Sequence, residues 1–116
     1  MFRPVGHAAD LGRALTAITS RSAVELAAAI RARELTSSEV VQAHIALHQR
    51  VAPRINAVVA ERYEVARHEA TVVDELINAA ASDDELPPLL GVPFTVKESI
   101  AVAGLPQSAG LLVQRF

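Results

Sequence analysis

The sequence changes character at residues 91–98, which read GVPFTVKE. Apolar side chains occupy every second position after the glycine, a pattern that places them on one face of an extended chain. Pro93 has no backbone N–H to donate, so it fits only at the beginning or the edge of a strand. We therefore predict a strand over Leu89–Val96, with Lys97 arriving at its end.

The chain before this stretch is predicted to be helical. Two capping boxes, Ser22 with Glu25 and Thr36 with Glu39, mark the starts of two helices. In each, the hydroxyl accepts a hydrogen bond from a free backbone N–H and the carboxylate accepts one from the N–H of the cap residue itself. Apolar residues follow at helical spacing, which predicts a helical hairpin.

Proline and polar residues set the remaining boundaries. Pro53 removes a donor and is expected to end the second helix. A short apolar run at Ala57–Ala60 predicts a small strand, and a third helix is expected from Glu61 to the polar residues 82–88. Glycines and a proline within residues 1–20 predict a weakly structured lead-in.

Composition excludes several classes of protein. The chain has 116 residues and no cysteine, which rules out disulfides, cysteine-ligated zinc and a cysteine nucleophile. Eleven basic residues are scattered among thirteen acidic ones, so we expect no nucleic-acid partner. Charged residues interrupt every apolar run before it reaches the roughly 18 residues of a membrane span. We expect a cytoplasmic protein without a membrane span.

Two candidate sites are set aside. His44 and His48 are four residues apart on a predicted helix, a spacing that suits a metal, but a third ligand is missing and the intervening Glu of a zinc-protease helix is absent. Ser108 and Gly110 supply only the second half of a Gly-x-Ser-x-Gly motif, because Pro106 stands at the first glycine position. We expect no metal, no cofactor and no activated serine in this segment.

Lys97 has two interpretations. A lysine at a strand end usually turns into solvent and pairs with a carboxylate. A lysine held in an apolar pocket instead has a lowered pKa, and its neutral amine acts as a base near neutral pH. The position of Lys97 in the sequence does not decide between the two.

A resemblance favours the second interpretation. The segment 91–98, continued by VAGLPQSAG at residues 102–110, resembles the first catalytic segment of the amidase signature family. The similarity is nearer to fatty-acid-amide-hydrolase-like and general bacterial amidases than to the aminoacyl-tRNA amidotransferase subunit. It extends over approximately residues 22–110. The supporting upstream segments are 22–25, 34–39 and 54–59.

The resemblance implies a fold and a mechanism. It implies an α/β fold, of which this chain holds the N-terminal part: three helices and then strands of a mixed sheet. We expect a lead-in at residues 1–21 and a truncated amidase domain at residues 22–116. Family members hydrolyse small-molecule carboxylic amides with a Ser-cisSer-Lys triad, in which the lysine deprotonates a bridging serine and that serine activates the nucleophile. Lys97 matches this lysine. Both serines belong beyond Phe116 in the family, so the chain alone is expected to be inactive.

Two departures from the family pattern and one alternative remain open. Glu98 replaces the commoner aspartate and Leu111 stands where serine is frequent. The alternative is a noncatalytic helical interaction module, or a self-associating homodimer, that docks a partner through the apolar helix faces. The residues on these faces are Leu26, Ile30, Val41, Ile45, Val73 and Ile77.

Overall fold

The computed structural model describes residues 8–111, which form four α-helices followed by an irregular C-terminal segment. The elements are α1 (Ala8–Thr19), α2 (Ala23–Arg31), α3 (Ser37–Ile55), α4 (Tyr63–Ala79) and a short 3-10 helix at Asp83–Glu85. None of the helices between residues 8 and 111 combines the length and the hydropathy needed to cross a membrane.

Helix α1 corrects the prediction of a weakly structured lead-in for residues 8–19. It packs against α3, and Ile18 near its C-terminal end contacts the core. Gly12 lies inside the helix, where a glycine costs about 1 kcal/mol relative to alanine. Packing of half-buried side chains such as Leu15 and Ile18 on the side of α3 offsets this cost, so the glycine does not break the helix. The remaining part of the predicted lead-in, residues 1–7, lies outside the described residues.

Both predicted capping boxes are confirmed. At the start of α2, the Ser22 N–H donates to the Glu25 carboxylate at 2.7 Å and the Glu25 N–H donates to the Ser22 hydroxyl oxygen at 3.3 Å. At the start of α3, the corresponding distances between Thr36 and Glu39 are 2.8 and 3.0 Å. Each box satisfies backbone donors that the first turn of a helix leaves free, which explains where these helices begin.

Pro53 does not end α3, which continues to Ile55. The helix ends at Asn56, whose φ of 48° is left-handed and whose N–H donates to the Ala52 carbonyl at 2.8 Å. Pro53 lies in the last turn, so only one hydrogen bond is lost before the helix ends. The predicted boundary is wrong by two residues for this reason.

The core consists of two clusters that share α3. The first contains Leu26, Ile30, Val40 and Ile77, and the second contains Val41, Ile45 and Ala70. Because α3 contributes Val40 to one cluster and Val41 to the other, it is the central helix of the structure. Five of the six apolar residues proposed to dock a partner are buried in these clusters, and the sixth, Val73, packs against the first. The helix faces of the interaction-module alternative therefore form an intramolecular core.

The two predicted strands are not formed, which corrects the sequence prediction for the described residues. No strand occurs within residues 8–111, and residues 92–97 are an irregular segment without a partner. A strand needs a neighbouring strand to pair its backbone N–H and carbonyl groups, and residues 8–111 supply none. The helical half of the α/β prediction is confirmed, whereas a mixed sheet stays a prediction.

Candidate functional site

Lys97 lies at the end of the segment 92–97, just before a turn. Its carbonyl accepts a hydrogen bond from the Ile100 N–H at 2.9 Å, which closes that turn. The Lys97 residue is exposed, and its ammonium takes part in none of the ion pairs found among residues 12–111. Lys97 therefore has the solvent exposure that is usual for a lysine, without a carboxylate partner among these ion pairs. The apolar pocket required of a lysine base is not formed by the described part of the chain.

Glu98, next to Lys97, holds the following loop closed. Its carboxylate accepts hydrogen bonds from the Ser108 backbone N–H at 2.6 Å and from the Ser108 hydroxyl at 2.9 Å. These bonds to Ser108, the backbone bond first, lower the pKa of Glu98 because they stabilise the ionised carboxylate. We call residues 97–110 the Lys97 loop.

Turns and a second contact between its two arms shape the Lys97 loop. The Gln107 side-chain amide donates to the Ser99 carbonyl at 2.7 Å, so the two arms are bonded at two successive levels. Gly104 and Gly110 have φ values of +79° and +82°, which glycine adopts without a steric penalty. Ala109 also has a positive φ, of 48°. The loop is thus a folded hairpin-like turn whose closure depends on Glu98 and Ser108.

The Ser108 hydroxyl contacts a carboxylate, and neither a lysine nor a histidine, in the described part of the chain. It donates to Glu98 and accepts from the Gly110 N–H at 3.3 Å. No serine hydroxyl within the described residues hydrogen-bonds to Lys97 or to a histidine. A serine nucleophile needs such a base within reach. That this segment contributes no nucleophile stays a prediction.

Apolar side chains on both sides of Lys97 are exposed. Phe94 is 86% exposed and Ile100 is 59% exposed, and Val96 is exposed as well. Large apolar side chains grouped at a surface mark a place where another element packs. Exposed apolar residues thus precede and follow Lys97 along the chain.

The two histidines set aside as a metal site have other partners. The His44 Nδ1 is 2.7 Å from the Val40 carbonyl oxygen, and the His48 Nδ1 is hydrogen-bonded to the Tyr63 hydroxyl. Tyr63 in turn donates to Glu61 at 3.1 Å. Desolvation first, and then this hydrogen bond, raise the pKa of Tyr63. The His48–Tyr63 contact connects α3 to the start of α4, whereas the His44 contact lies within α3, and both favour structural roles.

The functional contact that sequence reasoning missed is the Glu98–Ser108 pair. The sequence showed Glu98 only as a replacement for aspartate and Ser108 only as part of an incomplete nucleophile motif. The sequence indicated a turn only through its glycines: Gly104 lies between Glu98 and Ser108, and Gly110 follows Ser108.

Comparison with known proteins gives a consistent result. A family model described as Amidase matches residues 39–116. The chain is 49% identical over 98 residues to Fatty-acid amide hydrolase 2-A of Danio rerio, covering 81% of this chain and 18% of that protein. It is 41% identical over 99 residues to Fatty-acid amide hydrolase 2 of Homo sapiens, covering 81% and 18%. It is 40% identical over 91 residues to Acylamidase of Rhodococcus erythropolis, covering 78% and 18%. The chain spans less than a fifth of the length of these relatives.

Proposed function

The chain belongs to the amidase family, and on that premise we propose that it supplies the general base, Lys97, of an enzyme that hydrolyses carboxylic amide C–N bonds. In this proposal residues 22–116 are the N-terminal portion of the amidase domain, with α1 packed against it. The two serines of the triad come from polypeptide beyond this chain. The chain alone has no turnover, since a base without a nucleophile provides no acyl-enzyme route.

One observation carries the assignment to Lys97. It is the only lysine of the chain, it lies inside the region that the family model matches, and it stands at the site of the family motif. The exposed residue has no carboxylate partner among the described ion pairs and is flanked by exposed apolar side chains. When further polypeptide covers this surface, the amine is desolvated. Desolvation favours the neutral form, which is the form able to accept a proton.

The proposed reaction moves one proton along a chain of hydroxyls. The neutral Lys97 amine accepts the proton of the bridging serine, and the bridging serine accepts the proton of the nucleophilic serine. At the same time the oxygen of the nucleophilic serine bonds to the carbonyl carbon of the amide. Backbone N–H groups stabilise the oxyanion that forms. The C–N bond then breaks, the proton passes to the leaving nitrogen, and water hydrolyses the acyl-enzyme. The lysine is neutral again at the end of the cycle.

The substrate is proposed to be a small-molecule carboxylic amide. The relatives named above are called fatty-acid amide hydrolases and an acylamidase, names that describe acyl amides as their substrates. The exposed apolar side chains near Lys97 are chemically suited to an acyl group as well as to covering polypeptide. A cytoplasmic location, the absence of a nucleic-acid partner and assembly as a homodimer stay predictions.

Hydrolysis of an acyl amide by two proteins tests this proposal. One is the 116-residue chain, and the other is a polypeptide that continues past Phe116 into the downstream coding region. We expect turnover by the longer protein and none by the chain alone. Turnover by the chain alone at a comparable rate would refute the division of the triad proposed here. No turnover by a folded longer protein, across acyl chains of several lengths, would refute the amidase assignment.

A further inference from the structure

The inference concerns the N-terminus of α3, where two backbone donors are not satisfied by the capping box. The Ser37 N–H donates to one Asp74 carboxylate oxygen at 2.6 Å, and the Ser38 N–H donates to the other at 3.0 Å. The Ser38 hydroxyl adds a third bond to Asp74 at 2.6 Å. Asp74 belongs to α4, so its negative charge stabilises the positive end of the α3 dipole and joins the two helices.

Ser37 extends this connection to the segment that leads to Lys97. Its side chain is 1% exposed, and it is the buried polar residue of the core among residues 12–111. Its hydroxyl donates to the Gly91 carbonyl at 2.9 Å. A buried hydroxyl without a partner would cost free energy, so this bond fixes the distance between the start of α3 and Gly91. Asp74, Ser37 and Gly91 form a hydrogen-bonded connection that we call the Gly91 anchor.

Gly91 is closely surrounded within the Gly91 anchor, with no room for a side chain. Its φ is +86°, and an added Cβ would lie 3.1 Å from the Ser37 Cβ and Oγ atoms and 3.2 Å from the Val73 Cγ1 atom. The glycine is thus enclosed between the start of α3 and the side of α4. The backbone conformation of Gly91 sets the direction in which the chain continues away from α3 and α4.

Beyond the Gly91 anchor the chain has few attachments before Lys97. Val92 packs against the first core cluster, whereas the four residues Phe94–Lys97 are exposed. Their backbone forms no hydrogen bond within residues 8–111 until the Lys97 carbonyl meets the Ile100 N–H. The position of Lys97 relative to the helices therefore depends on where the segment starts.

We propose that Ser37 and Asp74 are positioning residues for Lys97, acting through Gly91 on the segment that carries the amine. This inference rests on the proposed role of Lys97 in amide hydrolysis. Neither residue touches the reacting atoms. Misplacement of a catalytic group by about 1 Å costs up to about a hundredfold in rate. Loss of the Gly91 anchor should therefore lower the rate of amide hydrolysis.

The single lysine makes the test direct, because isotopic labelling of lysine reports on Lys97 alone in the 116-residue chain. The backbone order parameter of Lys97 is measured by NMR relaxation in the wild-type chain and in Ser37→Ala, Asp74→Asn and Ser22→Ala. Ser22→Ala is the matched control, since it removes an N-cap hydroxyl of α2 that does not touch the segment. Circular dichroism monitors the helices.

We expect the Lys97 order parameter to fall toward the flexible range, below about 0.6, in Ser37→Ala and in Asp74→Asn and to stay at the wild-type value in Ser22→Ala. An unchanged value in the folded Ser37→Ala and Asp74→Asn variants, or an equal fall in Ser22→Ala, would overturn the proposal. Should Ser37→Ala lose its helical signal, Asp74→Asn decides the outcome, because it retains the Ser37 hydroxyl bond to Gly91 and replaces one of the two carboxylate oxygens that accept from α3 by an NH2 group, which cannot accept.

A second measurement in the longer amidase separates positioning from general stability. Ser37→Ala is expected to lower kcat by about tenfold to a hundredfold with little change in KM, at a temperature well below the Tm of the variant. A rise in KM at unchanged kcat would contradict a positioning role. The NMR result does not depend on turnover, so failure of the positioning proposal is distinguishable from failure of the amidase assignment.

Discussion

The carboxylate of Glu98 accepts two hydrogen bonds from one residue, Ser108, through its backbone N–H at 2.6 Å and its hydroxyl at 2.9 Å. The pair spans ten residues and closes the Lys97 loop immediately after the lysine. Because an ionised carboxylate accepts these two bonds more strongly than a protonated one, the closure of the loop is linked to the protonation of Glu98.

Acid is expected to open the Lys97 loop. The bonds to Ser108 lower the pKa of Glu98 from its ordinary value of 4.5. A depressed pKa means that the carboxylate stabilises the closed loop above the ordinary value and that this stabilisation is lost as the pH falls through the lowered one. A two-dimensional NMR titration of glutamate side chains between about pH 2 and pH 7 measures the Glu98 pKa, and the Ser108 amide shift should move with it.

A matched pair of variants checks the cause. Ser22 stabilises Glu25 by the same two kinds of bond and also lowers its pKa. Ser108→Ala should raise the pKa of Glu98 and leave Glu25 unchanged, and Ser22→Ala should do the reverse. An unshifted Glu98 in Ser108→Ala would contradict the closure described here.

Substitution of Gly91 should be far more costly than substitution of Gly104. Both residues have a positive φ, of +86° and +79°, so alanine at either site costs about 1–2 kcal/mol of backbone strain. Only at Gly91 does the new Cβ also meet buried atoms, those of Ser37 and Val73, whereas nothing lies within 4 Å at Gly104. We expect Gly91→Ala to lower the free energy of unfolding by about 1–3 kcal/mol more than Gly104→Ala.

Urea denaturation of the two alanine variants gives this difference. Equal destabilisation would show that strain alone sets the cost and that the enclosure of Gly91 between α3 and α4 is not rigid.

Val40 and Val59 allow the cost of a valine-to-alanine substitution to be compared at a buried and at an exposed position. Val40 is 0% exposed in the first core cluster and Val59 is 79% exposed between α3 and α4. Val40→Ala should lower the free energy of unfolding by about 2 kcal/mol through lost burial and a residual cavity. Val59→Ala should change it by less than about 0.5 kcal/mol. Urea titrations of both variants measure the loss of free energy of unfolding. Equal losses at Val59 and Val40 would contradict the assignment of Val40 to the core.

Arg31 joins the end of α2 to the chain that leads to Gly91. Its two terminal nitrogens donate to the Asp83 carbonyl at 2.9 Å and to the Pro87 carbonyl at 3.1 Å. Lysine has a single ammonium group in place of the rigid, planar guanidinium, so it cannot reach both carbonyl oxygens in the same way. Arg31→Lys is therefore expected to lower the free energy of unfolding by about 1 kcal/mol, and Arg50→Lys, at an exposed position on α3, to leave it unchanged. Equal Tm values for the two variants would contradict the bridging role.

The helical part of the fold could be predicted from the sequence because its signals are local. The capping boxes at Ser22 and Thr36 need only residues three positions apart, and both are present in the structure. The end of α3 was less predictable, since Pro53 costs one hydrogen bond and the left-handed Asn56 provides the actual stop. Helix α1 was missed because packing on α3, a tertiary effect, outweighs the local cost of Gly12.

The family of the candidate site could be predicted from the sequence, whereas the surroundings of Lys97 could not. The resemblance to the amidase signature family, on its fatty-acid-amide-hydrolase-like and bacterial side, is confirmed. The role of Lys97 stays a prediction, because residues 8–111 form no apolar pocket around it. The Ser37–Asp74 contacts were not foreseen, since they join residues 37 positions apart whose proximity follows only from the packing of α3 on α4.

The central claim is that Lys97 acts as a proton acceptor, and substitution by arginine tests it most directly. Arginine keeps a positive charge and a long side chain but does not deprotonate in proteins. In the longer amidase, acyl-amide hydrolysis by Lys97→Arg and Lys97→Ala is compared with the wild type at equal folded fraction. The account predicts that both lose at least about a hundredfold in kcat. Wild-type turnover by the arginine variant would show that the charge of Lys97 matters and its basicity does not, which contradicts the account.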